Sequence, residues 1–336
     1  MTSSSQANPA EQTPGGDLAT NLKLVMVGLG EVGEAVLAAA LRDPRFLVAA
    51  CIDPRPDTEA RARAIGFTGP VFPDVSELGP GSGVAIVCTA STVRGLAPVA
   101  CSLTERGYDV VSSCEELIAP GRAPEADTQS IHAAALKAQR SVVGAGVNPG
   151  FAMDVLPAVA SLVVRELSQV RLLRRVDVSR RRPALQAKVG VGISLADFEN
   201  GRREGRLGHV GLEGSVAFLA SALGLHATIE ETVEPVKQNG HDISLGVRHR
   251  VKATDAAGIV RIDATLEMYV GAEEVDRIVL DGQPPLTIES PNGISGDEAT
   301  VSALLNVGAA IAAMPPGLHT LADFLPATGH LATGTP

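Results

Sequence analysis

The sequence predicts an α/β protein: a doubly wound parallel sheet first, then a second α/β domain with a mixed or antiparallel sheet. Three observations support this fold class. Short apolar runs in the first half alternate with helix-like segments, as in parallel sheets that are buried on both faces. A glycine-rich turn joins the first apolar run to the first helix. The second half instead contains long alternating runs joined by short turns, which favours antiparallel pairing.

The glycine-rich turn follows the apolar run 24–27 and reads Gly-Leu-Gly-Glu-Val-Gly. Its spacing matches the G-x-G-x-x-G fingerprint of dinucleotide-binding (Rossmann) domains. There the first glycine permits a tight turn, the second admits a pyrophosphate to the backbone, and the third packs the helix against the strand. The start of the helix offers N–H groups to the phosphates. The residues predicted to bind them are Gly28, Gly30, Glu31, Val32 and Gly33.

The second apolar strand, 46–52, is followed by Asp53, about 20 residues beyond the third glycine. A carboxylate at this position binds the ribose 2′-hydroxyl of NAD. Arg55 lies two residues further on, and its guanidinium could meet the 2′-phosphate of NADP or simply be a solvated turn charge. The predicted cofactor is therefore NAD or NADP, and the preference stays open.

Two further loops follow predicted strands and are expected at the same edge of the sheet, since ligands bind outside the carboxyl ends of such strands. The first follows strand 83–88 and the second follows strand 141–144. The residues predicted to contact the cofactor there are Thr89, Ala90, Ser91, Asn148 and Pro149, with Phe151 next to them in the substrate pocket.

Adjacent carboxylates, Glu115 and Glu116, follow the predicted strand 108–112. Their side chains point in different directions, so one of the two at most can readily serve as the acid or base of the site. A carboxylate beside a nicotinamide, in a loop without a cation, suits an ammonium or iminium centre. The alternative is that both residues open the following helix at its favourable end.

The second half supplies the remaining predicted pocket residues, His209 and Thr300. His209 lies between glycines just before the amphipathic helix 212–223. A structural role at the entry to this helix explains His209 as well as a role in the pocket does. Asp297 is expected to cap a long apolar helix, 297–314, and Thr300 to face the pocket from it. No spacing of His, Cys or carboxylates favours a metal, and none is predicted.

The amino-acid composition of the chain restricts the kinds of molecule that it can bind. The formal net charge of −10 argues against nucleic acid and against an anionic membrane surface. Residues 1–20 are predicted to be a disordered leader without a signal core. The four cysteines have no CxxC spacing, which favours free thiols in the cytoplasm. A large uncovered sheet face in the second half favours a homodimer.

Several longer blocks carry a resemblance: V-x-G-L-G-x-V-G, V-V-S-S-C-E-E-L and G-V-N-P-G-F-A-M-D-V-L-P, then G-D-E-A-T and P-P-G-L-H-T near the end. With these blocks the chain resembles, from about residue 22 to 326, the family of 2,4-diaminopentanoate dehydrogenase and the native amine dehydrogenases, a dihydrodipicolinate reductase-like group. The His-His…Lys element of true dihydrodipicolinate reductases and the Asn-Lys pair of homoserine dehydrogenases are absent from the sequence, which disfavours both of those activities.

The resemblance implies NAD(P)-dependent oxidative deamination of an amine or diamino acid, and the reverse reductive amination of a ketone with ammonia. When the Glu-Glu-Leu block is aligned with that of the family, the resemblance assigns the binding of the substrate nitrogen to Glu115, with Glu116 as the alternative. It also implies a Rossmann domain at 21–155, a substrate and dimerisation domain at 156–296, and a C-terminal helix and tail, 297–336, that packs back on the first domain. The alternatives are an imine or carbonyl reductase that does not use free ammonia, and a non-catalytic dinucleotide-binding protein.

Overall fold

The computed structural model describes residues 21–179, 181, 183–208, 211–238 and 240–325. The predicted leader and the pocket residue His209 lie outside the described residues. The strands are β1 (Leu22–Val27), β2 (Phe46–Ile52), β3 (Val71–Phe72), β4 (Gly83–Val87), β5 (Tyr108–Ser112), β6 (Ser141–Gly144), β7 (Arg165–Asp177), β8 (Thr228–Lys237), β9 (Ser244–Thr254), β10 (Val260–Tyr269), β11 (Val275–Gln283), β12 (Leu286–Ser290) and β13 (Gly317–His319).

The α-helices of the described chain alternate with these strands in the first half. They are α1 (Glu31–Ala40), α2 (Thr58–Ile65), α3 (Val93–Glu105), α4 (Glu125–Ala138), α5 (Val155–Ala160), α6 (Pro183–Lys188), α7 (Leu195–Arg203), α8 (Leu212–Ala222) and α9 (Gly296–Ala310).

The first sheet has the order β13-β6-β5-β4-β1-β2-β3, and its neighbouring strands are parallel. Helices α1 and α9 pack together on one face, and α3 and α4 pack together on the other. This arrangement explains the apolar run of β1. Leu24 and Met26 belong to the core on one face, and Val25 and Val27 to the core on the other. Each residue of such a strand has to be apolar because neither face meets water.

The second sheet has the order β12-β11-β7-β10-β9-β8 and is mixed. Strands β7 and β10 are parallel, whereas the other neighbours are antiparallel. Helix α8 packs on one face of this sheet, against β8, β9 and β10. The buried residues of that face continue into the core beneath α1 and α9. The predicted fold class, a parallel doubly wound sheet plus a mixed second sheet, is confirmed.

The predicted end of the last long helix was wrong. The helix predicted to reach residue 314 ends at Ala310 and continues as a short 3-10 turn. The sequence also gave no sign of β12 or β13. Strand β13 is three residues long and follows two prolines. It pairs with β6 at the sheet edge because α9 brings the chain back to the first sheet.

A buried carboxylate joins the two parts of the fold. Asp154 has no exposed surface. It accepts hydrogen bonds from the Gly150 N–H at 2.8 Å, the Val155 N–H at 2.7 Å and the Ser215 hydroxyl at 2.7 Å. Burial raises the pKa of Asp154, and these hydrogen bonds oppose the rise. The carboxylate therefore fastens the loop after β6 to helix α8, beneath the second sheet.

Replacing Asp154 with asparagine substitutes an amide N–H₂ for one accepting oxygen, so that one buried donor loses its partner. We expect Asp154→Asn to lower the free energy of unfolding by about 1–3 kcal/mol in urea denaturation. Asp242→Asn, at an exposed carboxylate, is the matched control and should change it by less than about 0.5 kcal/mol. Equal effects of the two substitutions would show that the Asp154 hydrogen bonds contribute nothing to stability.

Candidate active site

A cavity of about 780 Å³ lies at the carboxyl ends of the parallel strands and extends to the second sheet. Most of the residues predicted to bind the cofactor line it, although they come from four separate loops. These are Gly30, Glu31, Val32, Arg55, Thr89, Ala90, Ser91, Asn148 and Pro149. Glu115 and Thr300 also line the cavity. Gly28, Gly33 and Asp53 lie behind its wall, and Phe151 is outside it with 40% of its surface exposed.

The glycine turn has the geometry of a phosphate cradle. Gly28 has a φ of +85°, and a Cβ built there would lie 2.8 Å from the carbonyl oxygen of Cys88. A Cβ on Gly33 would lie 1.8 Å from the carbonyl oxygen of Gly28, which explains the close packing of α1 on β1. A Cβ on Gly30 would meet nothing within 4 Å. Gly30 precedes α1 without a side-chain cap, and Gly30, Glu31 and Val32 line the cavity, so the open end of this helix faces it.

Asp53, predicted to bind the ribose, is held by hydrogen bonds from the glycine turn and from the residues that follow β2. Its Oδ2 accepts from the Leu29 N–H at 2.7 Å and from Arg55 Nη2 at 2.9 Å. Its Oδ1 accepts from the Arg55 N–H, from Arg55 Nε and from the Thr58 hydroxyl. Burial favours a higher pKa for Asp53, but the hydrogen bonds from Arg55 and Leu29 outweigh it and lower the pKa to about 2. The carboxylate is thus ionised and satisfied, and it fixes both the glycine turn and Arg55.

Asn148 offers an unused acceptor to the cavity. Its side-chain oxygen is buried and has no hydrogen-bond partner among the described residues. A buried amide oxygen without a donor is costly, and a ligand N–H would remove that cost. Together with the glycine cradle, this orphaned oxygen indicates that the cavity fits a nicotinamide dinucleotide, whose carboxamide carries an N–H₂ group.

The two adjacent glutamates begin a 3-10 turn, Glu115–Ile118, that buries Leu117 and Ile118. Glu116 turns away from the cavity, and its carboxylate accepts the Val93 N–H at 2.8 Å at the start of α3. Glu115 lines the cavity, and its carboxylate has no hydrogen bond or ion pair with any described residue. The structure therefore gives the helix-opening role to Glu116 and leaves Glu115 facing the cavity.

The second sheet supplies a wall that the sequence did not predict. Val176 on β7 and Leu266 and Met268 on β10 line the cavity together with Leu185 of α6. Val176 and Met268 meet because β7 and β10 pair in parallel, although the two strands lie far apart in the sequence. No local pattern distinguishes them from other core residues, so sequence reasoning had no signal with which to find them.

The start of α9 closes this end of the cavity. Thr300 donates its hydroxyl hydrogen to the Gly296 carbonyl at 2.8 Å. Asp297, predicted to cap the helix, lies within its first turn, and its carboxylate is 3.3 Å from Arg181. The helix cap is Ser295 instead, without a side-chain hydrogen bond.

The cysteines show no specialised chemistry. All four are free thiols, and burial raises the pKa of Cys88, which lines the cavity, to about 11. Within the described ranges, no group of three His, Cys, Asp or Glu side chains is placed to hold a metal ion. None of the helices in that part of the chain is both long and apolar enough to cross a membrane.

Comparison with known proteins decides the family. The family model of the 2,4-diaminopentanoate dehydrogenase C-terminal domain matches residues 151–332, which is more than half of the chain. The chain belongs to the 2,4-diaminopentanoate dehydrogenase family. A curated 2,4-diaminopentanoate dehydrogenase from Acetoanaerobium sticklandii is 28% identical over 258 residues, covering 71% of this chain and 73% of that protein.

Solved structures support the fold of this dehydrogenase family member. The amine dehydrogenase from Mycobacterium smegmatis superimposes with a TM-score of 0.77 at 17% identity, covering 93% of this chain and 98% of that one. GenD2 from gentamicin A biosynthesis, solved in complex with NAD, gives a TM-score of 0.53 at 16% identity, covering 82% and 74% of the two chains. The predicted family is confirmed, as is the class of enzyme, a dehydrogenase that uses a nicotinamide dinucleotide.

The geometry around Asp53 leads to an expectation for cofactor preference. Arg55→Ala removes the guanidinium that could bind a 2′-phosphate, and it also frees the Asp53 carboxylate for a ribose hydroxyl. Both effects act in the same direction, so we expect the ratio of the KM for NADPH to the KM for NADH to rise about tenfold to a hundredfold.

Steady-state kinetics with each cofactor measure this ratio. Arg94→Ala, at a guanidinium with 78% of its side chain exposed on α3, is the matched control and should leave it unchanged. An unchanged ratio in Arg55→Ala would show that Arg55 lies away from the adenosine ribose.

Proposed function

We propose that this enzyme oxidises an amine to a ketone with NAD(P) and releases ammonium, and that it runs the reverse reductive amination of the ketone. One observation carries the proposal: the Glu115 carboxylate faces the cavity without a partner among the described residues, while its neighbour Glu116 is engaged by α3. The domain limits implied by the sequence, 21–155 for the dinucleotide and 156–296 for the substrate, are part of this proposal.

The bound dinucleotide supplies the hydride chemistry, and the chain supplies position, charge and proton transfer. An ammonium substrate is attracted by the Glu115 carboxylate, which accepts one proton so that the amine becomes neutral before its carbon loses hydride. After this proton has passed to solvent, Glu115 can take a proton from the water that adds to the iminium carbon and return it to the leaving nitrogen. The balance is one protonated amine, one oxidised cofactor and one water giving one ketone, one reduced cofactor, one ammonium and one proton.

The other walls of the cavity suit this reaction. Leu266 and Met268 present apolar surface beside the site and limit the water that reaches the reacting carbon. In such surroundings the attraction between a carboxylate and an ammonium is stronger than in bulk water. A carbonyl reductase that does not use ammonia has no need for an unpaired carboxylate at this position, so Glu115 favours the amine.

The role of Glu115 can be tested with matched amides. We expect Glu115→Gln to lower kcat by about 10²- to 10⁴-fold, because the amide cannot accept the proton. Glu116→Gln keeps an accepting oxygen for the Val93 N–H and should lower kcat by less than about threefold. The assay follows NADH and NADPH oxidation with a panel of ketones, with and without ammonium.

The same assay distinguishes the alternatives. Oxidation that does not depend on ammonium would establish an imine or carbonyl reductase instead. Full ammonium-dependent activity in Glu115→Gln would remove Glu115 from the chemistry. Dinucleotide binding without turnover on any substrate would favour a protein that only binds the cofactor.

We also propose that the enzyme is a homodimer that pairs through the open face of its second sheet. Helix α8 packs on the opposite face, where Leu172 is buried. On the open face, Glu267 accepts from Arg175 at 2.6 Å and from Arg248 at 2.7 Å. The two guanidinium groups thus share one carboxylate within the face, and the half-buried Leu173 lies among them. A partly apolar face whose charged groups are paired with one another can pack against a second copy of itself.

We expect light scattering coupled to size-exclusion chromatography to give twice the mass of one chain. Leu173→Glu places an extra charge in the open face of each copy and should shift the protein to the monomer. Leu47→Glu, at an exposed leucine of β2, is the matched control and should remain dimeric. A monomer in the unmodified protein, or a dimer that survives Leu173→Glu, would rule out this interface.

The four free thiols are the basis for proposing a reducing, cytoplasmic location.

A further inference from the structure

The start of helix α8 lies against two loops that line the cavity. A Cβ built on Gly211 would lie 2.7 Å from the ring of Pro149 and 3.5 Å from the Cβ of Glu115. One built on Gly214 would lie 3.7 Å from the Cβ of Ala119, which directly follows the 3-10 turn. The helix that packs on the second sheet therefore contacts the loop after β5 and the loop after β6 at the same time.

Two polar contacts fasten the same end of α8 to these loops. Glu213 forms an ion pair with Arg122, which lies further along the loop after β5. The Ser215 hydroxyl donates to Asp154, whose carboxylate also accepts the Gly150 N–H in the loop after β6. Each loop is thus fixed to α8 both by packing and by a polar contact. A rigid helix that holds two loops in this way also fixes their distance from each other.

Gly211 allows this close approach because it has no side chain. It precedes the first residue of α8 with a φ of +110°, in the left-handed region that favours glycine. The ring of Pro149 cannot rotate aside, since it is closed on its own backbone. A side chain at position 211 would therefore push α8 and the loop after β6 apart, and Glu115 packs at the same contact.

Glu115 depends on this packing more than its neighbour does. It lines the cavity, and its carboxylate has no hydrogen bond or ion pair with any described residue, whereas the Val93 N–H holds Glu116. A side chain without polar partners keeps its place through the surfaces that it packs against. Its place matters because a base has to be within hydrogen-bond reach of the proton, and a displacement of about 1 Å can lower a rate by roughly 10²-fold.

We infer that the start of α8 positions Glu115 for proton transfer, and that Gly211 is the residue through which it does so. The inference rests on the proposed function for the role of Glu115 itself. Gly211 is a positioning residue: it is not among the residues that line the cavity, and it acts by letting α8 meet Pro149 and Glu115. The first sheet supplies the base, and the second sheet, through α8, fixes its position.

A double-mutant cycle tests this coupling. We expect Gly211→Ala to lower kcat for ammonium-dependent oxidation of NAD(P)H about tenfold to a hundredfold, because the added methyl group displaces Pro149 and Glu115 together. In the Glu115→Gln enzyme, which has already lost the base, the same substitution should lower kcat by less than about threefold. The dissociation constant for the preferred reduced cofactor, from fluorescence titration, should stay within about threefold, which separates displacement of the base from loss of the cofactor site.

Gly66→Ala is the matched control for the change of backbone. Gly66 caps α2 with a φ of +101°, so an alanine there strains the backbone to a similar degree. A Cβ at this position meets nothing within 4 Å, and Gly66 does not line the cavity. We expect Gly66→Ala to lower the free energy of unfolding and to leave kcat unchanged.

A second variant presses on the Glu115 loop from a helical position, where no left-handed strain arises. Gly214→Val places a stiff, branched side chain against Ala119, which has room for a Cβ but not for further carbons. We expect it to lower kcat about fivefold or more in the unmodified enzyme and less than about twofold in Glu115→Gln.

The cycle separates the failure of this inference from the failure of the proposed function. Full ammonium-dependent activity in Glu115→Gln would remove the role of Glu115, and the role of α8 with it. If Glu115→Gln loses activity as expected, the positioning role alone is at stake. Equal losses of kcat from Gly211→Ala and from Gly214→Val in both backgrounds, or an unchanged kcat in both variants, would then overturn it.

Discussion

Parallel strand pairing is the constraint on which the rest of this molecule depends. Strands β1, β4, β5 and β6 are consecutive neighbours, and each ends at the same edge of the sheet. Every loop that follows one of them must therefore open onto one crevice. Four segments that are far apart in the sequence become the walls of a single cavity in this way. The pairing also requires apolar strands, since helices cover both faces, and so the constraint that buries the sheet also locates the site.

Once the loops meet, carboxylates hold them in place. Asp53 accepts the Leu29 N–H and fixes the glycine turn, Glu116 accepts the Val93 N–H at the start of α3, and Asp154 ties Gly150 to the second part of the fold. Each of these acids has backbone N–H donors within reach and serves the architecture. Glu115 has none among the described residues, and this difference, rather than residue type, separates a structural carboxylate from one that is available to a substrate.

Residues in a local pattern could be placed from the sequence, whereas roles that depend on contacts from other loops could not. The glycine turn, its flanking strand and the acid after β2 form a local pattern with its own stereochemistry, so their positions could be predicted. The division of roles between Glu115 and Glu116 could not, because it depends on the position of the Val93 N–H beside the turn. Phe151 was predicted in the pocket from its place after the Asn-Pro-Gly loop. The loop turns at Gly150, which has a φ of +124°, and leaves the ring exposed.

The residues on the substrate side of the cavity were harder to predict, because they meet only through long-range strand pairing. Val176 and Met268 become neighbours through the parallel pairing of β7 and β10, and Lys188 reaches the same cavity from a short helix between β7 and β8. A sequence shows how many charges the chain carries, but not which of them are already paired. Arg174 and Lys188 are both cations on this wall. Asp276 neutralises the first, whereas the second has no ion pair with any described residue. Selectivity in such a cavity therefore follows from the ion pairs that the fold has already made.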